Sequence, residues 1–388
     1  MPADLYDAVV VGSGPAGTTT ARAAARRGLR VLLVDKKQEL GAPVQCSGAV
    51  SANALRDANV DPDPEFVLTP VFGFAVYDAE GACTRLDYRE YRAPEDRDAP
   101  LGYVVDRRRF DRCLMALAER AGAECRLKTE ALGYEAHDDG TATVRLRHFG
   151  EEQAVRTRVI VGADGVQSQV GRWAGIRTHL RITELASCLQ VVVDGVETDG
   201  LLEIVTGRAW APGGYAWVFP KGHGHAEIGL GVIKTLTDRD ARWHLDRFMT
   251  ESFLAERFAN ARVLEVQGGG VPLAAPLKQQ VADHVLLVGD AAHHVNPITG
   301  GGIHTALRGG VIAGDFLADF LPSGERPTAA CLEGYHQRWL ASFGDTMWDL
   351  YRVKTDIFRR QRAPEEEDAR LYATLSGYFS PQSPYRKA

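Results

Sequence analysis

The sequence predicts an α/β protein in which a parallel sheet built on glycine turns is interleaved with an antiparallel sheet and followed by a helical C-terminus. Three stretches predict it, each a short apolar strand running into a glycine-rich turn. Ala8 to Val11 leads into Gly12-Ser13-Gly14-Pro15-Ala16-Gly17, Val159 to Val161 into Gly162-Ala163-Asp164-Gly165, and Val285 to Val288 into Gly289-Asp290-Ala291-Ala292-His293. Uniformly apolar runs suit strands covered on both faces. Length and composition bound the class. At roughly 150 residues per domain, a chain of 388 residues suggests two or three domains. A hydrophobic share of 45% with 25% charged residues excludes a disordered chain. The net charge is −6, and no basic run exceeds three residues, so no nucleic-acid partner is expected. Cys46, Cys83, Cys113, Cys125, Cys188 and Cys331 are scattered without a CxxC pair, which indicates neither a metal knuckle nor a disulfide framework. Asp4 to Val11 runs straight into a strand with no signal-peptide pattern. No apolar stretch approaches the ~18 residues of a membrane helix. A soluble, cytoplasmic protein is expected.

The first strand and turn continue into an alanine-rich helix to about Arg27, Gly28 as its C-cap, and a second apolar strand from Val31 to Val34 that ends in Asp35. This is the order of a Rossmann-type dinucleotide site. Gly12 permits the tight turn, and Gly14 lets backbone approach a pyrophosphate. Gly17, with Ala21 and Ala24, lets the helix lie close to the sheet. Ala16 stands at the helix N-terminus, where free N–H groups and the dipole favour phosphate. Asp35 follows Gly17 by 18 residues; it is either the acceptor for a ribose 2′-hydroxyl or an ordinary strand-end residue.

The late strand separates FAD from NAD. After Gly289-Asp290 the chain reads Asn296-Pro297-Ile298-Thr299-Gly300-Gly301-Gly302-Ile303 and enters a small-residue helix. Asp290 suits ribityl hydroxyls, and the N–H groups from Gly301 to Ile303 suit a flavin's pyrimidine edge. The three glycine turns in this order, over about residues 5 to 315, resemble the FAD-dependent monooxygenase and reductase superfamily. Within it, Gly41-Ala42-Pro43-Val44-Gln45-Cys46-Ser47-Gly48 and Gly214-Tyr215-Ala216-Trp217-Val218-Phe219-Pro220-Lys221-Gly222 are similar to the geranylgeranyl reductase family, as is the Asn296 to Ile303 run. Two departures are visible: Glu227 stands where that family often has Asn, and Ser47-Gly48-Ala49 differs from the archaeal lipid enzymes.

The resemblance implies bound FAD, cofactor contact by Arg107 of the Asp-Arg-x-x-Phe-Asp stretch, and a backbone site near Ala131 beside the adenine. It also implies that the loop carrying Cys46 and Ser47 reaches the isoalloxazine, with Gly302 and Ile303 close by. The family saturates isoprenoid double bonds of membrane lipids, chlorophyll side chains and quinone tails. No second GxGxxG occurs, so the electron donor, NAD(P)H or another reduced carrier, is left open.

Interleaving these segments gives a discontinuous FAD-binding domain over residues 1–70, 99–175 and 280–325. A substrate domain takes residues 71–98 and 176–279, and a helical segment covers 326–388. Val104 to Arg109 followed by Phe110, Leu114, Leu117 and Ala118 reads as a helix. Cys188 to Val193 and Tyr215 to Phe219 read as strands of the antiparallel sheet. The C-terminal aromatics Trp339, Phe343, Trp348, Tyr351 and Phe358 read as core.

Tyr215, Trp217 and Phe219 alternate along one strand and share a face; they line a substrate pocket over the flavin or fill the core. Cys46 is either a small buried residue or a group in the chemistry. With Tyr215 and a bound water it is a candidate for the proton donor. His293-His294 and His223/His225 are expected to be solvated or capping histidines, with no metal site.

The function expected is an FAD-dependent reductase saturating carbon–carbon double bonds of an isoprenoid or similar apolar substrate. Transient contact with a membrane surface is compatible with this, and the oligomeric state stays open. The alternative is an FAD-dependent monooxygenase acting on an aromatic or polyketide molecule. A halogenase needs a lysine shortly after the first glycine motif, and none occurs between Lys37 and Lys128. A non-enzymatic flavin-binding protein is the remaining alternative, disfavoured by retention of all three flavin stretches.

Overall fold

The computed structural model describes residues 5–359 and 362–385. Asp4 of the first predicted strand, and positions 360–361 and 386–388 of the C-terminal segment, lie outside them. The strand Leu5–Val11 lies at the centre of the first sheet. It pairs in parallel with Val31–Val34 on one side and with Glu151–Gly162 on the other. Val31–Val34 pairs in parallel with Glu124–Arg126, and Glu151–Gly162 with Val285–Leu287. The twelve-residue strand Glu151–Gly162 serves two arrangements. Its second half belongs to the parallel sheet. Its first half pairs antiparallel with Ala142–His148, which in turn pairs with Thr129–Ala136. Val9, Val10, Leu32, Leu33, Val159 and Val161 are almost fully buried, as strands covered on both faces require.

The helix Pro15–Arg26 opens on a proline at its first turn and closes at Arg27, with Gly28 at φ +88. It lies along the helix Ile303–Phe320. The approach depends on two glycines. A Cβ on Gly310 would stand 2.7 Å from the Ala16 carbonyl oxygen, and one on Gly314 would stand 2.5 Å from the Ala23 Cβ.

The expected helix from Val104 is shorter than its pattern suggests. Val104 and Val105 end the strand Gly102–Val105, which pairs antiparallel with both Ala49–Ser51 and Val67–Val71. The helix runs Arg107–Arg120, started by Asp106, whose carboxylate accepts from the amides of Arg108 at 2.9 Å and Arg109 at 3.2 Å. Two β-branched residues with strand partners on both sides are held extended, and the N-cap fixes where the helix begins.

The second sheet has seven strands in the order Arg262–Pro272, Leu185–Asp194, His225–Ile233, Tyr215–Gly222, Leu201–Thr206, Gly73–Tyr77 and Cys83–Asp87. It is antiparallel apart from one step: Leu201–Thr206 runs parallel to Gly73–Tyr77. The chain between those strands passes through the first sheet, a connection long enough for a parallel return. One face buries Val191, Val193, Val218, Ile228 and Leu230 against Leu245 and Phe248 of the helix Ala241–Glu251. The other carries Leu202, Ile204, Trp217 and Phe219, which pack with Ile298 and with Leu350, Ile357, Leu371 and Leu375. These last four come from the C-terminal helices Asp345–Ile357 and Pro364–Tyr378. The C-terminal segment is helical as expected, and Trp339 and Phe343 are core. No helix of the described residues is long and apolar enough to cross a membrane.

Candidate active site

The parallel registers align Val11 with Val34 and Gly162, and Gly162 with Leu287. The turns after these strands therefore emerge together at one end of the sheet, where open α/β folds bind ligands. Gly12 has φ +105, and a Cβ there would stand 2.3 Å from the Ala163 carbonyl oxygen. Gly17 presses the helix onto the turn, since a Cβ there would reach within 1.8 Å of the Gly12 oxygen. Gly14 differs: a Cβ would meet no protein atom within 4 Å. It caps the helix N-terminus without a side-chain hydrogen bond, so the first-turn N–H groups have no side-chain cap. That cradle fits a pyrophosphate. Ala16 is buried in the first turn, with its Cβ 2.8 Å from where a Cβ on Gly289 would lie.

Asp35 is tied to the same turn. One carboxylate oxygen accepts from the Ser13 amide at 2.8 Å and the Ser13 hydroxyl at 2.6 Å, the other from the Lys37 amide at 2.8 Å. The carboxylate therefore braces the glycine turn, a role the spacing alone did not indicate. The Asp35 carbonyl also receives the Thr129 amide at 2.8 Å, which brings the start of the strand bearing Ala131 alongside. Asp164 of the middle motif is structural: it accepts from the Ser168 hydroxyl at 2.6 Å and from the amides of Gln169 and Val170.

Asp290 is half-buried, and its carboxylate takes no hydrogen bond from a described side chain. Burial pushes its carboxyl up, against the pull of the Arg107 guanidinium. Gly302 stands beside it, at the uncapped N-terminus of the helix that begins at Ile303. An unpartnered carboxylate next to uncapped helix N–H groups fits a cofactor carrying both hydroxyls and hydrogen-bond acceptors. Arg107 itself is held by Asp111, with Nε and Nη2 each 3.1 Å from a carboxylate oxygen. Burial works against its charge, but Asp111 and the nearby Cys46 sulfur hold the cation. Cys46 is half-buried and packs against the apolar cluster to which Val50 and Ile303 belong, and its sulfur accepts the Gly48 amide at 3.5 Å. Ser47 gives its carbonyl to Lys221 Nζ at 2.9 Å.

Tyr215, Trp217 and Phe219 share one face. Their ring centroids lie 5.9 Å and 6.2 Å apart in succession. The Tyr215 hydroxyl donates to the Thr299 carbonyl, joining the second sheet to the loop before Ile303. Burial pushes the Tyr215 phenol up. The loop is itself folded by Asn296, whose side-chain oxygen accepts from Ile298 at 2.9 Å and Thr299 at 3.0 Å while its amide donates to the Tyr378 hydroxyl at 2.9 Å.

The residues brought together at this end are Gly12, Gly14, Ala16, Gly17, Arg107, Asp290, Gly302 and Ile303, with Cys46 beside Arg107 and Tyr215 bonded to the loop before Ile303. Asp111, Lys221, Glu227, Asn296 and Tyr378 were missed as members of this neighbourhood. The Asp-Arg-x-x-Phe-Asp spacing is the signal that could have found Asp111, since i and i+4 share a helix face.

His293 and His294 are not solvated caps, whereas His223 is exposed and His225 lies part-exposed beside Asp194, as expected. His293 lies in the left-handed region at φ +59, with its ring nitrogens 3.3 Å from the carbonyls of Ala275 and Thr178. His294 is fully buried and stacks on Trp339 at 4.4 Å. The sharp turn after Asp290 directs both rings inward. No group of His, Cys, Asp and Glu suited to a metal occurs among the described residues.

The sequence matches the family described as FAD binding domain over residues 5–343. It is 38% identical over 342 residues to a digeranylgeranylglycerophospholipid reductase of Methanosarcina acetivorans, covering 88% of this chain and 82% of that one. To the reductase of the same name from Methanothrix thermoacetophila it is 40% identical over 341 residues, covering 87% and 84%. A solved geranylgeranyl bacteriochlorophyll reductase-like protein from Thermoplasma acidophilum superposes with a TM-score of 0.85 at 29% identity, over 99% of this chain and 94% of the other. With three glycine turns gathered at one sheet end and relatives of this identity along most of its length, the chain belongs to the geranylgeranyl reductase family of FAD-dependent oxidoreductases.

Proposed function

We propose that this protein saturates carbon–carbon double bonds of an isoprenoid lipid or a similar apolar substrate. The observation that carries this reading is the aromatic face of Tyr215, Trp217 and Phe219, tied through the Thr299 carbonyl to the loop that leads into Ile303. An apolar wall beside the cofactor end of the sheet suits an alkene, which offers no polar handle and must be held by shape in a site that excludes water. Bound FAD, once reduced, supplies the electron pair for the saturation.

In this reading Gly12, Gly14, Ala16 and Gly17 receive the pyrophosphate at the helix N-terminus. Asp35 takes the ribose while still bracing Ser13, and the backbone at Ala131 borders the adenine. Arg107 and Asp290 hold the ribityl chain, and the N–H groups of Gly302 and Ile303 face the flavin ring, with Cys46 and Ser47 across from them. Residues 1–70, 99–175 and 280–325 then act as the cofactor-binding domain, and 71–98 with 176–279 as the substrate domain. The Tyr215 proton is committed to the Thr299 carbonyl, which leaves the Cys46 thiol as the better source of a proton for the second alkene carbon. Tyr215 becomes part of the wall.

Product analysis tests this. The FAD-loaded protein, reduced without air and given a geranylgeranyl ether lipid, should yield products heavier by two hydrogens per saturated bond. Products that carry added oxygen, or unchanged lipid, would overturn it.

A further inference from the structure

A buried ion pair lies beside the Cys46 loop. Lys221 and Glu227 occupy adjacent strands of the second sheet, and the register sets Glu227 opposite Phe219, so both belong to the face that carries Trp217. Lys221 Nζ is 2.7 Å from Glu227 Oε2, and the two side chains are 9% and 0% exposed. Neither carboxylate oxygen of Glu227 forms a well-aligned hydrogen bond, but the Lys221 ammonium and the Trp217 indole N–H both lie against the carboxylate. Burial pushes the Glu227 carboxyl up, against the pull of Lys221.

Such a pair adds little stability over two apolar side chains of similar size. What an apolar pair cannot do is hold a carbonyl, and Lys221 donates to the Ser47 carbonyl at 2.9 Å. Residues 36–48 contain neither helix nor strand. The loop is anchored to its own domain by the Val105 amide on the Gly48 carbonyl at 3.0 Å. Among the described residues, Lys221 provides its hydrogen bond to the substrate sheet.

We propose that Lys221 and Glu227 form a strut that sets the position of Cys46, with Lys221 gripping the adjacent peptide and Glu227 balancing its charge. Both are positioning residues. The inference rests on the reading of the Cys46 loop as part of the reduction site, but its test needs no lipid.

The FAD-loaded full chain is treated with iodoacetamide, and the modification rate of each cysteine is followed by peptide mass spectrometry. Lys221→Met combined with Glu227→Leu removes the strut without leaving a buried unpaired charge. It should raise the Cys46 rate at least fivefold and leave exposed Cys83 unchanged. Lys221→Arg, which can still reach the carbonyl, should return Cys46 to within twofold of wild type. In lipid turnover the double variant should lose kcat more than fivefold with KM within twofold. A Cys46 rate within twofold of wild type in the double variant would overturn the strut, as would Cys46 and Cys83 rising together. If Lys221→Met/Glu227→Leu does not fold, Glu227→Gln is measured against the same two criteria. Because labelling is read without substrate, failure of the strut and failure of the reduction reading are separable.

Discussion

Gly14 and Gly17 lack side chains for different physical reasons. At Gly17 the space is already taken by the Gly12 carbonyl, 1.8 Å from an added Cβ. Gly17→Ala should therefore cost about 1–3 kcal/mol of stability by overpacking, seen as a lower melting temperature with or without FAD. At Gly14 the space is open and the backbone conformation is ordinary, with φ −68 and ψ 179. Gly14→Ala should leave the melting temperature of the FAD-free protein unchanged and weaken FAD binding more than tenfold in a fluorescence titration. Undiminished FAD binding by Gly14→Ala would move the pyrophosphate away from this turn. Cys46→Ser keeps the size and the donor while removing the sulfur. If the thiol supplies the proton, this variant should retain FAD and slow alkene reduction more than tenfold, about 1.4 kcal/mol of barrier. Turnover within twofold of wild type would make Cys46 only a wall of the site.

At the scale of elements, the paired helices Pro15–Arg26 and Ile303–Phe320 bring two uncapped N-termini to the same end of the sheet. Their spacing is set by small residues. Gly314→Val would push into the Ala23 Cβ and the Thr20 carbonyl, at 2.5 Å and 2.7 Å from the Cβ position. It should destabilise the protein by about 1–3 kcal/mol and weaken FAD binding, although Gly314 lies about three turns along the helix from Gly302. Calorimetry with and without FAD checks both. Such elements were legible where local chemistry decides them. The glycine turns, the apolar strands and the helix start at Pro15 follow from residue type and spacing. What was not legible depended on distant partners. Val104 and Val105 follow a helical pattern but are captured by strands around residues 50 and 69. The parallel step between Leu201–Thr206 and Gly73–Tyr77 joins segments far apart in sequence. The tie from Asn296 to Tyr378 spans 82 positions. No local pattern around Lys221 announces that its ammonium ends on Ser47.

Across the whole molecule, burial lowers the pKa of His244, His293, His294 and His336 and takes His304 to about 4. A histidine lowered in the folded state binds fewer protons there than in the unfolded chain, whose value is near 6.5. Stability therefore rises with pH across the window from the folded pKa to about 6.5 and is flat above it. Unfolding midpoints in urea should fall between pH 7 and pH 5. Each fully shifted histidine adds a slope of up to about 1.4 kcal/mol per pH unit. His294→Phe, which keeps a ring against Trp339, should reduce that slope; an unchanged slope would show that His294 does not titrate with folding. Flavin absorbance in a sealed stopped-flow cell shows whether the assembled site hands its electrons to an alkene. The reduced, FAD-loaded protein is mixed with geranylgeranyl lipid in the absence of oxygen, with a fully saturated analogue as control. The oxidised-flavin band should return with the unsaturated lipid and stay absent with the saturated one. A band that returns only when oxygen is admitted, whatever lipid is present, would contradict it.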